Sequence, residues 1–271
     1  MFLDSVLLIL QEILEAALLL SVLLAVNLQL GAQVSEARQL GGLWYAAAIC
    51  CGILGAAAFA WAMPTITGWF NDVGQEVTNA GMHFVIIACL YVHCRLLRKK
   101  ADSERMRSLG AGLTLITVIA LAITREGSEI FLYLRGISGG PSGVTSAVLG
   151  AGVACGIGVS TGILLYFGLL SLSRRAALRV GLALLSLFAG NMAAQAVQLL
   201  IQADWIPYSA PLWDTSGILQ EYTITGQLLY ALVGYEATPS LIQVSSYLGA
   251  MLLIASTPLF RQHWWSGKIS A

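Results

Sequence analysis

Charge is scarce in this sequence. Lys, Arg, Asp and Glu make up 10% of its 271 residues, with 14 of each sign and a formal net charge of zero. An ordinary soluble domain carries about 25%, so a chain that is 58% hydrophobic reads as an integral membrane protein whose partner surface is lipid. With no excess of either sign, nothing points to a nucleic-acid partner. No Asn-x-Ser/Thr sequon occurs, which disfavours a secreted glycoprotein and suits a bacterial cytoplasmic (inner) membrane. The five cysteines, Cys50, Cys51, Cys89, Cys94 and Cys155, form no Cys-x-x-Cys pair and lie in or beside apolar runs, so they read as small core residues. Met1 to Leu10 contains Asp4 but no Lys or Arg. It therefore lacks the basic start of a signal peptide and reads as a retained helix.

Apolar runs of about 20 residues suffice to cross a bilayer. They predict seven transmembrane helices over approximately 3–28, 42–62, 77–97, 108–134, 144–171, 180–202 and 241–260. The connections between them differ sharply in charge. Arg38 lies in the first, Arg95 to Arg107 crowd the third, Arg174, Arg175 and Arg179 fill the fifth, and Arg261 and Lys268 follow the last helix. Around 63–76 and 203–240 there is no Lys or Arg at all. The positive-inside rule then puts the N-terminus outside and the C-terminus in the cytoplasm.

Two Glu-x-x-Glu stretches break the apolar pattern: Gln11-Glu12-Ile13-Leu14-Glu15 in the first run and Arg125-Glu126-Gly127-Ser128-Glu129 in the fourth. Each ionised group at membrane depth costs at least about 2.5–3.5 kcal/mol. Residues three apart share a helix face, so each stretch offers two carboxylates together. Cys51-Gly52-Ile53 and Cys155-Gly156-Ile157 match at the second and fifth helices. Together these matches predict a 3+3 inverted repeat, 1–100 and 101–205, within a single transmembrane domain. An outer loop over 203–240 and a seventh helix over 241–260 complete it. Such repeats enclose a site near the midplane. Facing one another there, Glu12, Glu15, Glu126 and Glu129 would offer up to eight oxygens to a hard cation. Arg125 can pair with Glu129 at i, i+4, but one Arg cannot neutralise four carboxylates.

A polar path is predicted to lead outward from this centre. Ser5 and Asp4 continue the stripe on the first helix, and Tyr133 on the fourth. Inward, the same stripes meet only Leu19, Val22, Val26, Ala122, Ile119 and Leu115. Glu76, opening the third helix, could capture ions or simply suit a helix N-terminus. Asn191, Gln195, Gln198 and Gln202 form an amide stripe that reads either as an interhelical hydrogen-bonding seam or as a path lining, and Asp214 adds a carboxylate in the outer loop. The segment 218–233 could form a short amphipathic or re-entrant helix. His83 reads as a satisfied buried imidazole or a ligand, and His93 as structural. Intramembrane proteolysis would need Ser128 beside a histidine, and a retinal-type receptor would need a lysine inside its last helix. His83 is the one candidate histidine, but no nucleophile motif accompanies Ser128, and Lys268 lies beyond the last helix.

With Glu-x-x-Glu on the first and fourth helices, preceded by Arg at the second occurrence, the chain resembles the iron permease family of oxidase-dependent iron transporters. That family includes fungal ferric permeases and bacterial elemental-iron uptake permeases. Gly74-Gln75-Glu76, Ala189-Gly190-Asn191, Leu212-Trp213-Asp214-Thr215-Ser216, and Gly226 through Gly234-Tyr235 with Pro239-Ser240 are similar to family positions. The resemblance implies a transporter rather than an enzyme, with Glu12, Glu15, Glu126 and Glu129 as iron ligands. It also implies iron as substrate with no resident cofactor, and a periplasmic iron-binding or oxidase partner. Gln11 stands where the family usually has Arg, leaving a formal charge of minus three if all four carboxylates ionise. Ferric iron is the expected cargo, with ferrous iron, lead or another divalent metal as the alternative.

Overall fold

The computed structural model describes residues 2–31, 42–97, 104–136 and 140–257. Among these, the chain forms eight helices and no strand. They are α1 (Phe2–Gly31), α2 (Gly42–Thr67), α3 (Gly74–Leu96), α4 (Glu104–Gly136), α5 (Gly140–Ser171), α6 (Arg174–Gln202), α7 (Ile224–Val233) and α8 (Leu241–Ala255). Six, α1 to α6, are long and apolar enough to cross a membrane. In lipid the helix is the natural element for such a chain, because it satisfies every backbone donor and acceptor within the segment.

Two expectations need correction. The seventh predicted span is an apolar helix, Leu241–Ala255, whose end falls before the expected bound at 260. Residues 258–260 of the predicted span lie outside the described residues, as do Arg38, Arg98, Lys99, Lys100, Arg261 and Lys268. The sixth helix begins at Arg174 rather than 180. Hydropathy discounts Arg174, Arg175 and Arg179, whereas the backbone runs helically through them.

The centre of the molecule is built from α1, α4 and α6. α1 packs chiefly against α5 and α2 chiefly against α4, while α3 packs on α4 and α6, and α1 on α6 and α4. Small residues permit the two tightest pairings. A Cβ on Gly52 would come within 2.6 Å of Ile123 Cβ, and one on Gly158 within 2.5 Å of Ile13 Cγ2. The other faces of α2 and α5 expose Leu43, Ile53, Leu54 and Trp61, and Leu149, Leu164 and Phe167, as helices in contact with lipid do. Gly158→Leu should therefore overpack the α1–α5 seam and lower stability by about 1–3 kcal/mol. Gly156→Ala, with nothing within 4 Å of its added Cβ, should be silent. Thermal unfolding of the two purified variants compares them, and equal midpoints would contradict this packing.

The connection from 203 to 240 is folded back on itself. Pro211 bridges to Ser240, Leu212 N donates to Pro239 O at 2.8 Å and Thr215 N to Ala237 O at 2.9 Å. The short helix that the sequence left undecided is α7, capped at its start by Thr223, whose hydroxyl accepts from Gly226 N. At its end stands Gly234, in the left-handed conformation with φ 68°. A side chain at Gly234 would also meet Asn191 and Tyr247 at 2.9 Å. A capping box between Ser240 and Gln243 then starts α8.

Candidate functional site

The two Glu-x-x-Glu stretches meet. α1 and α4 pack together, and Glu12, Glu15, Arg125 and Glu126 are all buried, with exposures of 7%, 8%, 9% and 3%. Arg125 is the hub. Its Nη1 donates to Glu126 Oε1 at 2.7 Å and Oε2 at 2.8 Å, and lies 3.6 Å from Glu15 Oε2. Its Nη2 reaches Glu129 Oε1 at 3.3 Å, the i, i+4 pair expected from sequence. The shortest contact, to the neighbouring Glu126, was not legible because it depends on a rotamer rather than on helical spacing. Glu15 also accepts from Gln195 Nε2 of α6 at 3.1 Å. Glu12 lies within electrostatic reach of Glu126 and Glu129, and its Oε2 has no partner among the described residues.

One guanidinium thus touches carboxylates of both stretches. Among the described residues no three His, Cys, Asp or Glu side chains are arranged to hold a metal as they stand; the positive charge at this centre is Arg125. Gln11, its counterpart on α1, lines the cavity above, so the two stretches are not equivalent.

That cavity, about 550 Å³ in volume, is lined by Gln11, Glu12, Arg125 and Glu129 together with Glu76, Asn79, Tyr133, Gln195, Gln198, Gln202, Glu221, Tyr230 and Glu236. Beneath the carboxylates the path ends. Leu19, Val22, Val26, Leu115, Ile119 and Ala122 are at most 3% exposed and belong to the apolar core. Ser5 Oγ and Tyr133 Oη are hydrogen-bonded at 2.7 Å, tying α1 to α4.

The remaining expected positions divide. Glu76, Tyr133 and Gln195 line the cavity. Asn191 instead donates to Tyr230 O at 3.3 Å, holding α7. Asp214 is exposed in the loop, where Ser216 N and Oγ donate to its Oδ1 at 2.9 and 2.6 Å and hold its carboxyl below the usual range. The side chain of Asp4 lies outside the described residues. The amide stripe of α6 proves to be seam and lining at once, since Gln198 accepts from Gln243 Nε2 at 2.9 Å while lining the cavity. Ser128 Oγ donates to Arg125 O at 2.7 Å, an interaction within its own helix. His93 Nδ1 approaches Ala111 O at 3.1 Å and Thr114 Oγ1 at 3.0 Å, the structural role expected.

Asn79 and Tyr230 are not among the positions expected from sequence; the signal that could have found Asn79 is its spacing of i, i+3 and i+7 with Glu76 and His83 on α3, whereas Tyr230 lies in a ten-residue helix with no such pattern. Glu221 and Glu236 were visible only as loop charges. They reach the cavity because the loop folds back: Glu221 Oε1 accepts from Ala237 N, and Glu236 accepts from Gln243 Nε2 at 2.8 Å through both oxygens. Burial pushes the Glu236 carboxyl up, opposed by Gln243 and assisted by the charge of Glu221. A raised carboxyl pKa means the fold disfavours the ionised form, so stability is lost as pH rises from the ordinary value of 4.5 through the raised one. Glu236→Gln should therefore melt higher than wild type at pH 7, with the gap closing on acidification below the ordinary value. A gap that is constant with pH would contradict the assignment.

A model of the iron permease FTR1 family matches residues 2–259 of the chain. Ferrous iron permease EfeU of Escherichia coli O6:H1 is 28% identical over 255 residues, covering 88% of this chain and 88% of its own length. The protein of that name from Yersinia pestis is 26% identical over 268 residues, covering 92% and 90%. No solved structure matches the chain.

Proposed function

Because the chain belongs to the iron permease FTR1 family, we propose that it carries iron across the membrane on the carboxylates of Glu12, Glu15, Glu126 and Glu129, with Arg125 as their counter-cation until an ion arrives. The observation that carries this reading is the position of Arg125 at the floor of the cavity, where it contacts Glu15, Glu126 and Glu129. An arriving cation competes with the guanidinium for the same oxygens. Departure of the ion lets the guanidinium return, so Glu15, Glu126 and Glu129 regain a positive partner. This matters because an unpaired buried charge is strongly destabilising.

The relatives are named for ferrous iron, which favours the ferrous alternative over the ferric cargo first expected from sequence. Four ionised carboxylates and one guanidinium leave minus three, which a divalent ion reduces to minus one and a trivalent ion cancels, so the ferrous reading rests on the relatives. Purified protein in liposomes should take up ferrous iron kept reduced, and take it up faster than ferric iron under oxidising conditions. Faster ferric uptake would restore the first reading.

The seven-crossing, 3+3 inverted-repeat topology belongs to the same proposal, with α8 as the seventh crossing and repeats over 1–100 and 101–205. Exchanging α1 with α4, α2 with α5 and α3 with α6 maps the α1–α5 pairing onto α2–α4, and α3–α4 onto α1–α6, as an inverted repeat requires. The basic connections support an orientation in a bacterial inner membrane with the cavity mouth, and any iron-delivering partner, on the outer side. In a background without the native cysteines, Ser216→Cys in intact cells should react with an impermeant maleimide, and Lys268→Cys only after permeabilisation. The reverse pattern would invert the topology.

A further inference from the structure

α3 carries a polar stripe that the carboxylate centre does not account for. Glu76, Asn79 and His83 stand at i, i+3 and i+7 of the helix Gly74–Leu96, hence on one face. Each holds buried polar atoms without a hydrogen-bond partner among the described residues: Glu76 Oε2, Asn79 Oδ1 and both ring nitrogens of His83. Asn79 is 2% exposed and His83 wholly buried. Orphaned groups of this kind are rare in folded proteins and each calls for an explanation. His93 on the same helix differs in that its Nδ1 is engaged by α4, leaving only Nε2 unpartnered.

The stripe leads from the cavity to the charged centre. Glu76 and Asn79 line the cavity together with Arg125 and Glu129, and His83, about one turn deeper than Asn79, lies within electrostatic reach of Arg125. The packing exchange that relates α3–α4 to α1–α6 makes the comparison with Gln195 direct. On α6, Gln195 gives its amide to Glu15 of one stretch. On α3, His83 stands one turn from Asn79 of the cavity wall and its ring nitrogens make no bond among the described residues.

We propose that Asn79 and His83 supply an amide oxygen and an imidazole nitrogen to the ion held by the carboxylates, and that Glu76 hands the ion to them from the cavity. This rests on the carboxylate site proposed above and adds its selectivity. At i, i+4 the Asn79 oxygen and an imidazole nitrogen can converge on one ion once Arg125 gives way. An all-oxygen site suits calcium and magnesium as well as iron, whereas imidazole favours the borderline transition metals, ferrous iron among them. The nitrogen ligand therefore favours ferrous iron over abundant hard divalent ions at a site that carboxylates alone would offer to both.

Equilibrium titration of the purified full chain with ferrous iron and with calcium tests this. His83→Leu should weaken ferrous binding by about 100-fold or more, beyond the loss typical of groups that only orient a ligand, and leave calcium binding unchanged. It should also raise the thermal midpoint of the ion-free protein, because two buried unpaired nitrogens are removed. A structural histidine would give the opposite thermal shift. Unchanged ferrous affinity in His83→Leu, while Glu126→Gln loses both ions, overturns this proposal alone. Retention of both ions by Glu126→Gln overturns the carboxylate site and this proposal with it. A measurement that needs no variant is the EPR spectrum of copper(II)-loaded wild type: nitrogen hyperfine structure supports an imidazole ligand, and a purely oxygen environment overturns it.

Discussion

Glu126→Gln is expected to reduce iron uptake by about 100-fold or more while the protein still inserts in the membrane. Glu126 accepts the two shortest contacts of Arg125, at 2.7 and 2.8 Å, and is 3% exposed. The amide removes a negative charge that both the guanidinium and a displacing ion require. Losses of 10–100-fold are typical of groups that merely orient metal ligands, and a ligand should exceed them. Stability should fall too, by up to about 3–5 kcal/mol, the range for breaking a buried ion pair. Glu126→Gln should lie at its lower end because the amide oxygen still accepts one hydrogen bond. Uptake in proteoliposomes normalised to inserted protein separates the two effects. Wild-type uptake at normal protein level would remove Glu126 from the site.

Arg125→Gln should have the second largest effect, of a different kind. Without the guanidinium, Glu15, Glu126 and Glu129 lose their shared partner, and the ion-free protein should lose about 3–5 kcal/mol. Iron should then restore it. A ligand present at 100 times its Kd stabilises the folded state by about 2.7 kcal/mol, and the variant should gain more than wild type at equal iron because nothing competes for the carboxylates. Uptake should nevertheless fall, since no internal cation returns to release the ion. The diagnostic is the iron-dependent shift of the thermal midpoint, larger in Arg125→Gln than in wild type. A smaller shift would mean that Arg125 assists binding instead of opposing it.

How much of this was legible in the sequence follows from the physics of each feature. The carboxylates of Glu12, Glu15, Glu126 and Glu129 stood out because ionised groups are so costly in lipid, and the apolar seal at Leu19, Val22, Leu115 and Ile119 followed from helical periodicity alone. The six long helices were visible as apolar runs, but the start of α6 was misplaced by its three arginines. α8 was drawn too long because an apolar run does not mark where a C-cap such as Ser256 ends the helix. The cavity mouth was hidden for a different reason. Glu221 and Glu236 arrive there through the bridge between Pro211 and Ser240 and the bond from Ala237 N to Glu221, long-range contacts that no local pattern encodes. His83 was expected to be a satisfied core histidine; its two unpartnered nitrogens could be seen only once its neighbours were in place.

The claim on which the rest depends is that iron binds where the guanidinium of Arg125 now sits. Equilibrium binding of ferrous iron to the purified protein, compared with a variant carrying Glu12→Gln, Glu15→Gln, Glu126→Gln and Glu129→Gln together, tests it most directly. One tightly bound iron per wild-type chain and none in the variant is the predicted result. Equal binding by the two proteins would contradict it and place the ion elsewhere in the chain.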